Sequence, residues 1–145
     1  MSAPAKLLEN GRVITSGEGG NLLMVPVVGA CGDANLGPCP LPIGKVNAQY
    51  LRYTQKTRGN GLMAIVLVPF QGEKVPQVNV KLLDPQQDGR QVTPFETTAL
   101  EIEIDGQKDY YVDQHMHWNL PWKAGPCEGA ARLFHSRATR DEQAK

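Results

Sequence analysis

One short segment of the sequence, Asp-Gln-His-Met-His from position 113, carries the residue types that bind metal ions. If this segment is a β-strand, its side chains alternate between two faces, so Asp113, His115 and His117 project from the same face. Two imidazoles and a carboxylate match the ligand sets of zinc and of non-haem iron. The segment therefore predicts a site for a divalent metal, zinc or iron.

Three ligands from one flat strand are awkward for a single ion, so a working site needs a further ligand from another strand. Glu128 and His135 are the obvious sources. The alternative is a polar, solvent-facing side of the strand, whose histidines form hydrogen bonds with neighbouring groups. On that alternative no cofactor is expected, and the sequence leaves both interpretations open.

Four aromatic residues bracket the histidines: Tyr110 and Tyr111 before them, and Trp118 and Trp122 after them. Aromatic rings beside polar groups are typical of sugar-binding surfaces, because a pyranose ring has one apolar face that stacks on them. Arg132 follows in a C-terminal region of local basic character, which fits either an acidic polysaccharide or a solvated edge. The alternative for the two tryptophans is that they close the end of the hydrophobic core.

The sequence contains no usual motif of nucleophilic catalysis or of nucleotide binding. Serine occurs only at positions 2, 16 and 136, none of them in a Gly-x-Ser-x-Gly elbow. Neither a Gly-x-Gly-x-x-Gly nor a Walker sequence is present. Fifteen basic residues balance fifteen acidic ones, so no overall field attracts nucleic acid or an anionic membrane. We therefore expect no nucleic-acid partner and no membrane partner.

The compartment stays open on sequence grounds. The N-terminus lacks the apolar region of a signal peptide, and no stretch reaches the roughly 18 apolar residues of a spanning helix. Cys31 and Cys39 bracket a Gly/Pro-rich loop, which either closes as a small disulfide ring or carries two unrelated thiols. With Cys127 they make three cysteines, far fewer than a disulfide scaffold needs.

Short strands separated by turn signals must position these residues. Leu62–Phe70 is the strongest strand, apolar on both faces, which predicts a central strand covered on both sides. Pro76–Leu83 and Thr97–Ile104 alternate apolar and polar residues, as half-buried strands do. Asp105-Gly106 then predicts a two-residue type I′ hairpin, with Lys108–His117 as the returning strand. The other predicted strands are Arg12–Thr15, Leu22–Val28, Val46–Thr54 and Ala130–Arg137.

These elements predict an all-β fold, an antiparallel β-sandwich of about eight or nine strands with little helix. We expect one sandwich domain over residues 12–137, a flexible N-terminus over 1–11 and a polar C-terminal tail over 138–145. Residues 29–45, rich in glycine and proline, predict a long loop.

Five strand segments also follow one another in a suggestive order: Asn21–Pro26, Gln49–Tyr53, Ala64–Phe70, Asp109–Val112 and Gly129–Leu133. Their order and spacing, with a Pro-aromatic pair ending the central strand, resemble the β-sandwich region of heparinase II/III-like polysaccharide lyases over residues 12–137. In those lyases the sandwich packs behind a helical toroid, and the cleft between them performs β-elimination on acidic sugars. This chain has no toroid. The resemblance therefore implies an accessory sandwich that supports or extends a carbohydrate site, and it assigns no catalytic residue here.

Three functions follow from these observations. The first is a non-catalytic β-sandwich that recognises a polysaccharide. The second is a structural or assembly protein that forms homo-oligomers, or that decorates a larger particle through a protein partner. The third is a small metal-dependent enzyme built on Asp113, His115 and His117. The sequence favours a binding or structural role over that of a self-sufficient enzyme.

Overall fold

A computed structural model describes residues 4–27, 31–39, 48–116 and 119–138. The described residues form strands β1 (Ala5–Leu7), β2 (Val13–Thr15), β3 (Gly20–Pro26), β4 (Asp33–Pro38), β5 (Gln49–Thr54), β6 (Ile65–Gln71), β7 (Val78–Leu82), β8 (Gln86–Gln87), β9 (Arg90–Gln91), β10 (Thr97–Ile104), β11 (Gln107–Gln114), β12 (Trp122–Ala124), β13 (Cys127–Gly129) and β14 (Leu133–Arg137), with one 3-10 turn at Glu9–Gly11.

The predicted all-β, antiparallel fold with little helix is confirmed, because every strand pair in the four sheets is antiparallel. The part of the chain that the structure describes holds no helix long and apolar enough to cross a membrane. The strands divide between two compact units. The first comprises Met1–Arg58 with Met63–Pro76, and the second comprises Gly59–Leu62 with Gln77–Lys145.

The first unit is built on a four-stranded sheet in the order β1-β2-β3-β6. Leu23 lies opposite Val68 in this sheet, and both side chains are buried, as is Val25 further along β3. This alternation buries one face of the sheet. Residues 1–11, expected to be flexible, contribute β1, because Ala5–Leu7 pairs with β2.

A two-stranded sheet, β4 with β5, completes the first unit. β4 lies within residues 29–45, so the prediction of a long loop there is corrected for the described part, while 28–30 and 40–47 lie outside it. The glycine and proline that suggested a loop have local roles in the strand pair. Gly37 lies opposite Tyr50 and leaves room for its ring, and Pro38 ends the strand.

Cys31 and Cys39 stand at opposite ends of β4, and both are free thiols. An extended strand advances about 3.3 Å per residue, whereas a disulfide needs Cα atoms within about 7 Å of each other. Of the two interpretations that the sequence left open, the structure therefore has two separate thiols and no small disulfide ring.

The strand predicted to be central lies at one end of its sheet. Within the described residues β6 pairs with β3 alone. Leu67 is 59% exposed, whereas its neighbour Val68 is 6% exposed. Pro69 has no N–H to donate to a second neighbour, which suits a terminal strand. The apolar run therefore has one buried and one partly open face, and the prediction of two covered faces was wrong.

The second unit contains a large sheet in the order β14-β11-β10-β7. Its centre is the β10–β11 hairpin, with Thr97 opposite Gln114 at the open end. At the turn, Asp105 has φ 49° and Gly106 has φ 84°, the two positive values that a type I′ turn requires. The predicted hairpin is therefore confirmed, although β11 ends at Gln114 rather than at His117.

A small sheet, in the order β13-β12-β8-β9, faces the large sheet across the core of the second unit. Trp122 and Ala124 of β12 contact Ala99 of β10 and Val112 of β11 in one buried cluster, which Leu83 completes. These four strands were not predicted from the sequence, because segments of two or three residues are too short to show alternation.

Candidate functional site

One face of the large sheet gathers polar and aromatic side chains at β11 and β14. Asp109 lies opposite Arg137 and Tyr111 opposite His135, and directly opposed residues share a face of the sheet. Asp113 follows on the same face of β11. We call this set the β11–β14 face; it consists of Asp109, Tyr111, Asp113, His115, His135 and Arg137.

At one end of this face, Asp109 contacts the two basic side chains Arg137 and His135. The Arg137 guanidinium donates from Nε to Oδ1 of Asp109 at 3.0 Å and from a terminal nitrogen to Oδ2 at 3.4 Å. His135 Nε2 lies 3.7 Å from Oδ2. The hydrogen bond to Asp109, and then its negative charge, raise the pKa of Arg137. The side chains of Arg137 and His135 are 68% and 60% exposed, so a fixed cation faces solvent.

Thr98 and Asp113 hold His115 at the other end. The Thr98 hydroxyl donates its one proton to the Pro94 carbonyl at 2.9 Å. Its 2.7 Å contact with His115 Nε2 therefore requires the imidazole to donate from Nε2. Nδ1 lies 3.7 Å from Asp113 Oδ2. Because Nε2 is engaged as a donor, His115 is arranged to be held in place rather than to ligate a metal through that nitrogen.

Tyr111 lies between these two ends. Burial raises the pKa of its phenol, and the negative charge of Asp113 raises it further. The phenol therefore keeps its proton at neutral pH, and its neutral hydroxyl can both donate and accept a hydrogen bond at the edge of the Tyr111 ring. A half-buried ring flanked by charged planar groups combines an apolar surface with directional hydrogen bonding.

Tyr110, predicted beside Tyr111 as a ligand-binding residue, projects to the opposite face of the sheet. Its hydroxyl donates to Glu101 Oε2 at 3.1 Å, and its ring packs against the buried cluster. Arg132 precedes β14 and is exposed, and its carbonyl accepts from the Gln114 N–H at 2.8 Å.

Trp122, predicted as a sugar-stacking residue, is 3% exposed. Its indole N–H donates to the Ala131 carbonyl at 3.0 Å, and its ring meets Phe134 edge to face with centroids 5.0 Å apart. The structure thus places Trp122 in the core, the alternative that the sequence left open. Trp118 lies outside the described residues.

The predicted metal set is incomplete in the described residues, because His117 lies outside them. Among the residues that are described, no three histidine, cysteine, aspartate or glutamate side chains converge to hold an ion. Neither of the two further ligands that the sequence suggested contacts Asp113. His135 contacts Asp109, and Glu128 belongs to the small sheet.

A tight turn before β10 supports His115 and was missed in the sequence. The Glu96 side chain accepts from the Thr93 N–H at 2.9 Å, and the Thr93 hydroxyl contacts the Glu96 N–H at 3.4 Å. The Glu96 carbonyl then accepts from the backbone N–H groups of His115 and Met116. The pattern Thr-x-x-Glu at positions 93–96 is the capping-box signal that would have revealed this turn.

The face offers a ligand an aromatic ring, a guanidinium held by Asp109, two carboxylates and two imidazoles. No protein-family model matches the chain, and neither a curated protein nor a solved structure matches it.

Proposed function

We propose that this protein is a non-catalytic β-domain that recognises a polysaccharide through the β11–β14 face. The observation that carries the proposal is the register, which sets the Tyr111 ring between the Asp109–Arg137 pair and the Asp113–His115 pair. A sugar ring stacks on an aromatic face, and its hydroxyls bridge carboxylate and imidazole groups. The exposed guanidinium of Arg137 suits the carboxylates or sulfates of an acidic polysaccharide.

Two further features support the proposal. The first is a prediction from the sequence, the resemblance in strand order to the β-sandwich region of polysaccharide lyases. In the second unit, eight strands lie in two facing sheets around a shared core. We propose that these two facing sheets form a β-sandwich of eight strands within the second unit, whereas the sequence pattern indicates one sandwich of about eight or nine strands over residues 12–137.

The proposal is tested by affinity electrophoresis of the full chain in gels containing polygalacturonate, heparin or neutral dextran. We expect retardation by at least one acidic polymer. Tyr111→Ala and Arg137→Gln should each weaken binding about tenfold or more, because each removes a stacking surface or a charged hydrogen bond. Arg52→Gln, an equal charge change on an exposed β5 residue of the first unit, is the control. If Tyr111→Ala and Arg137→Gln both bind the acidic polymer with the affinity of the wild type, the β11–β14 face is not the site.

A second candidate function, in assembly, is favoured by a specific observation. Leu133 on β14 and Leu67 on β6 are 60% and 59% exposed. Within the described residues each strand also ends its sheet, so its outer backbone groups are open to pairing with another chain. A homo-oligomer built on such edges would pair these backbone groups and place the two leucines beside side chains of the added strand. Light scattering at high protein concentration distinguishes the two candidate functions. A strictly monomeric protein would contradict the assembly function and would leave the proposal of polysaccharide recognition unaffected.

A further inference from the structure

A row of three polar side chains crosses the small sheet of the second unit. Lys123 of β12 lies opposite Glu128 of β13 on one side and opposite Gln86 of β8 on the other. Opposed residues in a ladder share a face, and the strand neighbours Trp122 and Ala124 are buried on the inner face. The three polar side chains therefore project together from the outer face, away from the core.

This row lines an open groove of about 620 Å³, a volume within the usual range of ligand sites. Gly89 and Gly129 leave parts of its wall without side chains, while Pro121 and Ala130 add apolar surface. At Gly129 a Cβ atom would lie 2.8 Å from Cζ2 of Trp122, so a larger residue does not fit without displacing that ring.

The polar groups of the row are available to a ligand. In the described part of the chain, Lys123, Glu128 and Gln86 have no side-chain hydrogen bond or ion pair with another protein group. Directly opposed residues of opposite charge commonly pair across a sheet. Here Lys123 and Glu128 lie on adjacent strands and both line the groove, but their charged groups form no ion pair.

We propose that this groove binds a single hexuronate unit of a polysaccharide. Lys123 pairs with the sugar carboxylate, Gln86 and Glu128 hydrogen-bond to ring hydroxyls, and Pro121 contacts the apolar face of the ring. Because Glu128 only accepts hydrogen bonds when ionised, it selects hydroxyls and opposes a second anionic group such as a sulfate. The inference rests on the proposed function for its ligand class, but it uses a different sheet.

Backbone amide shifts of the ¹⁵N-labelled full chain, titrated with tetragalacturonate and with neutral maltotetraose, test the proposal. We expect tetragalacturonate alone to shift the amides of Lys123, Glu128 and Gly129. Lys123→Gln should weaken this binding about tenfold. Lys81→Gln, the same change at an exposed lysine on β7, should leave it unchanged. Glu128→Gln should improve binding of a sulfated tetrasaccharide relative to tetragalacturonate.

The outcomes separate this groove from the β11–β14 face. Shifts at Tyr111 and His135 without shifts in the groove overturn the groove and keep the proposed function. Shifts in the groove that survive Tyr111→Ala support the groove and place recognition away from the β11–β14 face. Unchanged affinity in Lys123→Gln, or no shift with either sugar at any amide, overturns the hexuronate site.

Discussion

Side chains on the β11–β14 face are held by partners that are less exposed than they are. Asp109, 17% exposed, holds Arg137, which is 68% exposed. Thr98, 4% exposed, holds His115 in the same way. A side chain fixed before a ligand arrives loses less conformational entropy on binding. The geometry of the face is therefore suited to recognition.

At Glu96 we predict a pH-dependent contribution to stability. The Thr93 N–H, the Arg90 guanidinium and the Thr93 hydroxyl all bind its carboxylate and lower its pKa from 4.5 to about 2. Because the folded-state pKa is depressed, the stabilisation is complete above about pH 4.5 and is lost as the pH falls through about 2.

Urea denaturation of wild type and Glu96→Gln across this pH range measures the effect. The wild type should be the more stable protein at neutral pH, and the difference should shrink towards pH 2. Glu73→Gln, a change at an exposed position, is the control. A difference that stays constant with pH would contradict the role given to the Glu96 charge.

At Gly129 we predict a steric limit. A Cβ atom would lie 2.8 Å from the Trp122 ring, so Gly129→Ala forces a side chain of the buried cluster to move. Such overpacking costs about 1–3 kcal/mol of unfolding free energy. Gly20→Ala, where a Cβ would meet nothing within 4 Å, is the comparison in chemical denaturation. Equal stability of the two variants would mean that the Trp122 ring yields freely.

Among the elements, the β10–β11 hairpin does most to position the β11–β14 face. Eight residue pairs join its strands, from Thr97 opposite Gln114 to Ile104 opposite Gln107. One face of this hairpin contributes Ala99 and Val112 to the core, and the other carries Tyr111 and Asp113. The same ladder thus sets both the packing and the site.

The hairpin turn gives a prediction at this scale. Gly106 has φ 84°, so Gly106→Ala places a side chain in the left-handed region at a cost of about 1–2 kcal/mol. Amide hydrogen exchange along β10 and β11 should accelerate accordingly. Gly19→Ala, at a position with open space and no positive φ, is the control. Unchanged exchange in Gly106→Ala would contradict the type I′ assignment.

The sequence predicted this hairpin because its signals are local: alternating residues on both strands and Asp-Gly between them. β8, β9, β12 and β13 were missed because they have only two or three residues, and partners outside the segment decide their pairing. β4 was missed because its glycine and proline indicated a loop. The β11–β14 face was predicted only in part. Tyr111, Asp113 and His115 stood out by type, whereas the contacts of Asp109 with Arg137 depend on which strand lies beside β11, a non-local fact.

At the scale of the whole molecule, the chain holds two β units, and the proposed recognition surfaces both belong to the second. The groove on the small sheet and the β11–β14 face on the large sheet lie on opposite sides of one core, because Trp122 and Val112 meet between the sheets. If both sites bind the same polymer chain, the unit would bind that polymer more tightly than either site alone binds a single sugar.

Binding of the purified full chain to a broad glycan array is the most direct test of polysaccharide recognition. We expect a signal with at least one class of acidic glycan, and a weaker signal for Arg137→Gln on the same glycans, because the proposed site uses the guanidinium held by Asp109 to bind the ligand anion. Absence of binding to every glycan on the array, acidic and neutral alike, would contradict it.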